Sequence, residues 1–454
     1  MPPAPRIAAS GSAHASETTP PRVLIVCEHA SARFGGEAAL PLHYFRVLRK
    51  RGIPVWLLTH ARTREELALL YPGDDRIRYV EDTGFHRLMW RVGQKLPDPI
   101  SYFTTGFLSR LSTQLAQRGM ARRLVREHGI TVVHQPMPVS PREPSVLYGF
   151  GVPVVIGPMN GGMDYPPAFR RERGSAERAL LALARASASA LNRLMPGKRR
   201  AAALLVANRR TREALPPGVS PNVIEMVENG VDLTLWQTSP RQPPPASDGA
   251  GPHPAEDAVA FVFMGRLVGW KAVDLLLRAF ARACRQAPMR LLILGDGDER
   301  PALERLAAEL GVAGDSSPTV GTVGFAGWLA QRDCADRLRD ADCLVLPSLL
   351  ECGGAVVLEA MSMGKPVIAT AWGGPLDYLD PSCGVLVAPD SPSAIVEGLA
   401  RAMIEMAQSP SKRRLMGEQG MAKVRREFDW ELKVDRMLNV YRGVSGRRCR
   451  QPVS

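Results

Sequence analysis

Short apolar runs alternate with longer segments of helix-forming residues along most of the chain. In the first half these runs are rich in Val, Ile and Leu, which is typical of strands buried on both faces. The runs are RVLIVC, IPVWLLTH, IRYVED, ITVVHQP and VPVVIGP. Helical segments separate them, the longest at about 85–128. Strands that alternate with helices predict parallel sheets with crossover helices.

The same pattern restarts after a segment rich in Pro, Gly and Ala, residues 239–257. The later runs are VAFVFMG, MRLLILGDG, TVGFAG, CLVLP and KPVIAT. We therefore predict an α/β protein with two doubly wound domains. The predicted division is a disordered tail at 1–20, a first domain at 21–235, a flexible segment at 236–258, a second domain at 259–425 and a final helix at 426–446.

Composition indicates a soluble enzyme of the cytoplasm. Of the 454 residues 45% are apolar, yet no apolar run approaches the roughly 20 residues that span a bilayer. Residues 1–20 lack the apolar stretch of a signal peptide, so we expect a disordered tail there. The seven cysteines are scattered and never form a C-x-x-C pair, which favours reduced thiols over disulfides or a zinc site.

The net charge of +13 is concentrated in one region. Residues 166–215 contain twelve Lys or Arg and three acids, including the basic pairs and triplets Arg170–Arg171 and Lys198–Arg200. Two interpretations remain open: a solvated helix face, or contact with an anionic membrane surface or a phosphorylated acceptor. Recognisable nucleic-acid modules are absent from the sequence, so we expect no nucleic-acid partner.

The stretch LPSLLECGGAVVLEAMSMGKPVIA, residues 346–369, carries the clearest chemistry. A buried strand ends at Pro347, and helix-forming residues run from Ala355 to Met363. Gly353 and Gly354 therefore precede a helix N-terminus, where amides without intrahelical partners and the helix dipole favour a phosphate. Side chains are absent at both glycines, so an oxyanion can approach the backbone.

Two carboxylates flank this predicted phosphate site, at Glu351 and Glu359. Carboxylates repel phosphate but accept hydrogen bonds from hydroxyl groups, so we expect them to bind sugar hydroxyls on either side of it. Arg266 and Lys271 follow the first strand of the second domain and can neutralise two phosphates. This combination of groups favours a nucleoside diphosphate sugar as the ligand.

Together these motifs resemble the retaining glycosyltransferases of glycosyltransferase family 4, which have the GT-B fold. The matching segments are GRLVGWK, LILGDGDE, ECGGAVVLEAMSMGKPVIAT, WGGPLDYL, VENGVD, RFGGEA and VVHQP. The resemblance implies two Rossmann-like domains facing a cleft, an N-terminal domain that binds the acceptor, and a C-terminal helix that crosses back to the first domain.

The resemblance also implies roles for individual residues. Glu351 would contact the donor sugar and, with His134 in the cleft, form the catalytic set, while Glu359 would bind the ribose. The implied donor-binding residues are Gly35, Gly36, Arg266, Lys271, Asp296, Gly353, Gly354, Ala355, Val356 and Glu359. Asp296 has the alternative role of a residue in a tight turn, and His134 that of a structural histidine.

Two positions depart from the family pattern. Cys352 and Gly353 stand where the family usually has a phenylalanine before the second glycine, and Ala272 stands where glycine is common. An alanine there costs little unless its φ is positive. Asn160 and Gly161 follow another predicted strand and are expected to line the cleft, and His29 is a weaker candidate of the same kind.

We therefore expect a retaining, metal-independent hexosyltransferase. It would use a UDP- or GDP-linked sugar and a glycan or lipid-linked acceptor in polysaccharide or lipopolysaccharide synthesis, and no cofactor. It would lie in the cytoplasm, with possible peripheral association at the inner face of the plasma membrane through 166–215. Two alternatives remain: another sugar-nucleotide or sugar-phosphate enzyme, such as a phosphorylase or an epimerase-like protein, and a non-catalytic glycan- or lipid-binding scaffold.

Overall fold

The chain forms two parallel β-sheets, one on each side of the Pro- and Gly-rich segment. The computed structural model describes residues 20–172, 187–237 and 258–446. The predicted tail at 1–20 and flexible segment at 236–258 lie almost entirely outside the described residues, as does part of the basic region at 166–215. The six cysteines among the described residues are free thiols.

The first sheet has seven parallel strands in the order β3-β2-β1-β4-β5-β6-β7. Its strands are β1 Val23–Val26, β2 Val55–His60, β3 Ile77–Val80, β4 Val132–Gln135, β5 Val154–Met159, β6 Ala203–Val206 and β7 Val223–Glu225. Its main helices are α1 Gly36–Lys50, α2 Arg64–Leu70, α3 Gly84–Gly93 and α4 Phe107–His128. One-turn α-helices lie at Asp98–Ser101, Gly197–Arg200 and Arg209–Glu213.

The second sheet has six parallel strands in the order β10-β9-β8-β11-β12-β13. Its strands are β8 Val259–Met264, β9 Met289–Leu294, β10 Val323–Gly327, β11 Cys343–Leu346, β12 Val367–Thr370 and β13 Gly384–Val387. Its helices are α5 Val273–Ala283, α6 Arg300–Glu309, α7 Gln331–Asp340, α8 Ala355–Ser362, a turn at Pro375–Tyr378, α9 Pro392–Gln408 and α10 Pro410–Glu427.

The central strands explain why the apolar runs are continuous rather than alternating. All four residues of β1 and of β11 are buried, because helices cover both faces of each sheet. The predicted helical region at 85–128 is interrupted. After Pro97 the chain makes one α-helical turn and a π-helical segment, Tyr102–Gly106, before α4 begins.

The final helix, α11 (Trp430–Gly446), crosses back to the first domain, as predicted. Trp430 and Tyr441 are buried in the core that α1 and the first sheet form. Arg51 at the end of α1 donates hydrogen bonds to Glu431, with the Nε–Oε2 distance at 2.8 Å. The described residues include no helix that is both long and apolar enough to traverse a bilayer.

Candidate active site

The loop between β11 and α8 presents a helix N-terminus, as the sequence predicts. Gly354 is the N-cap residue of α8 and has a φ of 79°, a left-handed conformation that suits glycine. The first amides of α8, from Ala355 and Val356 onward, have no carbonyl four residues earlier in the helix to bond. They therefore can bind an anion at the carboxyl edge of the second sheet.

Lys271 meets Glu351 beside this helix N-terminus. Its ammonium group forms an ion pair with the Glu351 carboxylate, and the two side chains are only 16% and 12% exposed. The Leu349 N–H donates to the Trp270 carbonyl at 2.8 Å, which holds the two loops together. The predicted cation and the predicted sugar-binding carboxylate are thus neighbours next to Gly354.

The Lys271 loop enters α5 through a strained residue. Ala272 has a φ of 50°, in the left-handed region, and is buried. Because φ is positive, alanine is costly at this position: an L side chain in the left-handed conformation costs about 1–2 kcal/mol. Ala272 N–H donates to Gly269 carbonyl oxygen at 3.0 Å, which closes the tight turn.

Arg266 lies on the same loop with an exposed side chain. Its position depends on the G-D-G turn after β9: a Cβ at Gly295 would overlap the Gly265 carbonyl, and one at Gly297 the Leu267 carbonyl. Asp296 accepts hydrogen bonds from the Gly297 amide at 2.8 Å and from Arg300 at 3.3 Å. These bonds fit the tight-turn alternative for Asp296, and its donor role stays a prediction.

Glu359 lies on α8, eight residues after Glu351, and the residue is half-buried. Burial raises the pKa of its carboxyl group to about 8. The same carboxyl group contributes to raising the pKa of the Cys334 thiol on α7, so the two groups are close. The proposed contact between Glu359 and a ribose stays a prediction.

Gly353 is required by its neighbours in the segment that joins the domains. A Cβ at this position would overlap Glu228 Oε1 and Asn229 Nδ2. Glu228 is buried, its Oε1 accepts from Asn229, and its Oε2 has no hydrogen-bond partner among the described residues. Burial raises the pKa of this carboxyl group. The departure from the usual phenylalanine thus makes room for the Glu228–Asn229 pair.

Asn160 joins the first domain to the same loop. Its Nδ2 donates to Glu228 Oε1 at 2.7 Å and to the Cys352 carbonyl at 2.8 Å. Gly161 packs against Pro141, and its amide donates to Thr211 Oγ1 at 3.1 Å. Asn160 is buried, so in this conformation it is a bridge between the domains rather than an open part of the cleft lining.

Gly35 and Gly36 form the start of α1 in the first domain. Gly35 is the N-cap residue with a φ of 96°, and a Cβ at either glycine would meet only open space. Burial raises the pKa of the Cys352 thiol to about 11, and the carboxylates of Glu351 and Glu37 are further causes.

His134 is buried in the first domain, and its predicted catalytic role stays a prediction. Its side chain is fully buried, with Nε2 2.6 Å from the Gly157 carbonyl and Nδ1 2.8 Å from the Tyr441 hydroxyl. Burial lowers the pKa of this imidazole to about 4. Since both ring nitrogens are bonded inside the core, His134 connects β4, β5 and α11, which fits the alternative role of a structural histidine.

A cavity of about 510 Å³ lies in the first domain, and the sequence did not predict it. It lies beyond the carboxyl ends of β1, β2 and β4, and α3, the π-helical segment and α4 close it. Its polar lining includes Glu28, His29, Glu37, Arg62, Gln114, Gln117 and Glu143. Of these, only His29 was a candidate, because the others are spread over 116 residues and share no motif.

The charges in this cavity are largely paired. Arg110 Nε donates to Glu143 at 2.7 Å, and Arg62 Nη2 donates to Asp82 at 3.3 Å. Burial raises the pKa of the Glu28 carboxyl group. Burial, with Arg62 as a further cause, lowers the pKa of His29 to about 4, so this imidazole is neutral at pH 7. The cavity offers amide and carboxylate groups more than free cations.

Two histidines and an aspartate meet behind the cavity. Candidate ligand atoms of His60, Asp82 and His86 lie within 4.8 Å of one another. The Arg62 amide donates to His60 Nδ1 at 3.3 Å, and the Thr83 amide donates to His86 Nδ1 at 3.1 Å. Each neutral ring therefore carries its proton on Nε2 and has no free lone pair there. His86 Nε2 lies 3.1 Å from the Thr113 hydroxyl and is therefore already bonded, whereas His60 Nε2 lies 3.4 Å from Asp82 Oδ1 and has no hydrogen-bond partner among the described residues.

Two basic residues of the region 166–215 that the structure describes are buried or paired. Lys198 is buried and donates to the carbonyls of Ser140 and Pro141, and burial lowers its pKa to about 7. Arg209 pairs with Glu213 at 2.8 Å. Arg199 and Arg200 remain exposed.

Comparison with known proteins adds to this geometry. Residues 250–422 match the family model described as glycosyl transferases group 1. This match lies almost entirely in the second domain. A protein named D-inositol 3-phosphate glycosyltransferase from Kribbella flavida is 34% identical over 236 residues, which are 50% of this chain and 52% of that protein. The chain thus spans about half the length of the curated relatives it matches.

Solved structures share the two-domain architecture. The crystal structure of HepE from Anabaena in complex with UDP and glucose has a TM-score of 0.61 at 16% identity, covering 93% of this chain and all of that one. The structure of WaaG, a glycosyltransferase involved in lipopolysaccharide biosynthesis, has a TM-score of 0.54 at 18% identity, covering 92% and 100%. The fold is therefore GT-B, with two Rossmann-like domains, as predicted.

Proposed function

We propose that the protein transfers a hexose from a UDP- or GDP-linked sugar to a hydroxyl group of an acceptor. One observation carries the proposal: the Lys271–Glu351 pair lies beside the α8 N-terminus at Gly354. A helix N-terminus with an adjacent ammonium group suits a diphosphate, and a neighbouring carboxylate suits sugar hydroxyls. Arg266, exposed on the same loop, is a second cation within one segment.

The proposed chemistry follows from where charge develops. As the bond between the anomeric carbon and the phosphate oxygen breaks, its electron pair goes to the diphosphate. Lys271, Arg266 and the α8 amides stabilise that charge, so these groups do the work that a metal ion would otherwise do. The acceptor oxygen bonds to the anomeric carbon, and its proton goes to a phosphate oxygen. Attack on the face that the phosphate leaves gives retention of configuration.

Product stereochemistry and nucleotide binding test this mechanism. We expect calorimetry to detect UDP or GDP binding that Lys271→Ala weakens and that Lys412→Ala, at a surface ion pair in the second domain, does not. Transfer in the presence of a metal chelator should continue, and NMR should detect a retained anomer. An inverted anomer would contradict the mechanism, and absence of binding to both nucleotides would contradict the function.

We infer that the acceptor enters the cavity of the first domain and that its reacting sugar is uncharged. The cavity wall has three carboxylates, Glu28, Glu37 and Glu143, against two arginines that already bond to acids. Amide and carboxylate groups suit a ring of hydroxyls, whereas a phosphorylated acceptor would need free cations. This would distinguish the protein from relatives whose names specify inositol 3-phosphate.

Polysaccharide or lipopolysaccharide synthesis is the setting that we propose for this reaction. WaaG, which shares the fold, is described as acting in lipopolysaccharide biosynthesis. An acceptor screen can test both points by comparing neutral oligosaccharides with inositol 3-phosphate. Faster turnover of inositol 3-phosphate than of every neutral acceptor would contradict the proposed acceptor class.

A further inference from the structure

Helix α3 exposes an unusual number of apolar side chains. Of the seventeen exposed large apolar side chains among the described residues, ten lie between 69 and 115. Four of them belong to the ten residues of α3: Phe85, Leu88, Trp90 and Val92, which are 42%, 52%, 66% and 40% exposed. Such a concentration on one short helix marks an interaction surface rather than scattered surface residues.

The buried and the exposed residues of α3 lie on different sides of the helix. His86 and Gly93 face the domain and are buried. At about 100° per residue, Phe85, Leu88 and Val92 fall within roughly 60° of one another on the exposed side. Arg91, together with Lys95 just beyond the helix, lies next to this apolar strip, Arg87 lies further around the helix, and all three are exposed.

The basic side chains on this surface are not engaged in ion pairs with described residues. Arg91 and Lys95 have no ion-pair partner among the residues that the structure describes, and Arg87 bonds only to the Asp82 carbonyl, at 3.4 Å. Aromatic and aliphatic side chains beside arginine and lysine are the arrangement of helices that lie in the headgroup region of a bilayer. Anionic lipids attract such basic groups by about 1 kcal/mol each.

We propose that the outer face of α3, formed by Phe85, Leu88, Val92, Arg91 and Lys95, docks on an anionic lipid bilayer. A second copy of this chain is a poorer partner, since the net charge of +13 would bring like charges together. His86 and Trp90 on the opposite side of α3, with Met89 beside the apolar strip, line the cavity of the first domain. A docked bilayer would therefore lie at the wall of this cavity.

The location of α3 also suggests the chemical class of the acceptor. A lipid-linked glycan could remain anchored in the bilayer while its sugar enters the cavity past Trp90. This second step depends on the proposed transferase function, whereas docking of α3 does not. Docking through α3 uses a different surface from the basic region at 166–215.

Vesicle co-sedimentation of the full chain tests docking without donor or acceptor. We expect binding to vesicles of equal parts phosphatidylcholine and phosphatidylglycerol, weak binding to phosphatidylcholine alone, and a loss at about 0.5 M salt because of screening. Leu88→Ser with Val92→Ser, and separately Arg91→Glu with Lys95→Glu, should each lower the partition coefficient at least about tenfold.

Matched variants in the second domain serve as controls. Leu415 is 57% exposed on α10, and Arg414 and Arg425 are exposed on the same helix. Leu415→Ser, and Arg414→Glu with Arg425→Glu, should retain binding within about twofold. Equal losses in these controls, or no binding of the unaltered chain to anionic vesicles, would overturn the proposal. So would a dimer that the Leu88–Val92 variant abolishes in the absence of vesicle binding.

Fluorescence quenching by brominated lipids locates the contact. Phe85→Trp places a tryptophan in the docking face of α3, and Leu415→Trp places one on α10 in the second domain, at side chains that are 42% and 57% exposed. Quenching should rise in the Phe85→Trp variant and stay at the level of the unaltered chain in the Leu415→Trp variant. The reverse result would overturn docking through α3. Vesicle binding without any sugar transfer would contradict only the proposed function, and transfer to neutral soluble acceptors without vesicle binding only the docking.

Discussion

The ammonium group of Lys271 contacts the carboxylate of Glu351 at the N-terminus of α8. The two residues are 80 positions apart and come from the loops after β8 and β11, which are adjacent strands of the second sheet. The pair holds a cation and a carboxylate within one site. In the proposed reaction Lys271 would shift part of this interaction to the departing diphosphate.

Removing either member of this pair should strongly lower the rate of transfer with the fold intact. We expect Lys271→Ala to lower kcat about 100-fold or more, because a cation that stabilises the leaving charge is lost. Glu351→Gln should also lower turnover by well over tenfold. Steady-state kinetics with thermal unfolding as a fold check measures both, and Lys412→Ala is the matched control. Turnover of Glu351→Gln within about tenfold of the unaltered protein would reject its role.

The carboxyl group of Glu359 should make stability depend on pH. Its folded-state pKa is raised to about 8, so the folded protein holds a proton that the unfolded chain releases near its ordinary, lower pKa. This contribution is therefore complete at acid pH and is lost as pH rises toward and through about 8. Glu359→Gln should remove that loss, so the variant gains relative stability between pH 5 and pH 8.

Urea unfolding across this pH range measures the effect. Glu397→Gln is the control, because the Glu397 side chain is 62% exposed and its change should add no such pH dependence. A constant difference between Glu359→Gln and the unaltered protein at all pH values would contradict the assigned shift.

Ala272→Gly should lower the unfolding free energy less than Ala279→Gly does. Both Ala272 and Ala279 are buried, but only Ala272 has a positive φ, whereas Ala279 lies inside α5. Ala279→Gly should cost about 1–2 kcal/mol through lost helix propensity and a lost methyl group. Ala272→Gly loses a similar methyl group but relieves about 1–2 kcal/mol of strain. Equal unfolding free energies for the two variants would contradict the strain.

Phenylalanine at position 353, the usual residue in the resembling family, should be harmful in this chain. A side chain there would overlap Glu228 and Asn229, so Gly353→Phe must displace the segment between the domains. We expect a loss of at least about 2 kcal/mol in unfolding free energy. Gly443→Ala, at an exposed helical site with open space around its Cβ, should be neutral or stabilising. A fully stable Gly353→Phe would show that the packing adjusts freely.

The bond between Tyr441 and His134 should affect stability and leave catalysis unchanged. Tyr441→Phe removes a buried hydrogen bond, which typically contributes about 1 kcal/mol. Thermal unfolding should record the loss, while kcat well below the melting temperature stays the same. A fall in kcat with unchanged stability would instead favour the catalytic role of His134.

Local sequence determined the parallel strands and the Gly354 helix start. Continuous apolar runs, as in β1 and β11, predict buried strands because both faces of such a sheet are covered. Two glycines before helix-forming residues predict an anion site because helix termini follow local rules. These features depend on neighbours along the chain, so they could be read before any fold was known.

Tertiary structure decided which side chains are in contact with one another. The bonds of His134, the bridge from Asn160 to Cys352 and the space at Gly353 that Glu228 fills all join residues distant in sequence. The cavity of the first domain and the exposed face of α3 likewise arise from how helices pack on the sheet. Burial, pairing and exposure are properties of the assembled fold, since the same side chain can be bonded in the core or free at the surface according to what packs beside it.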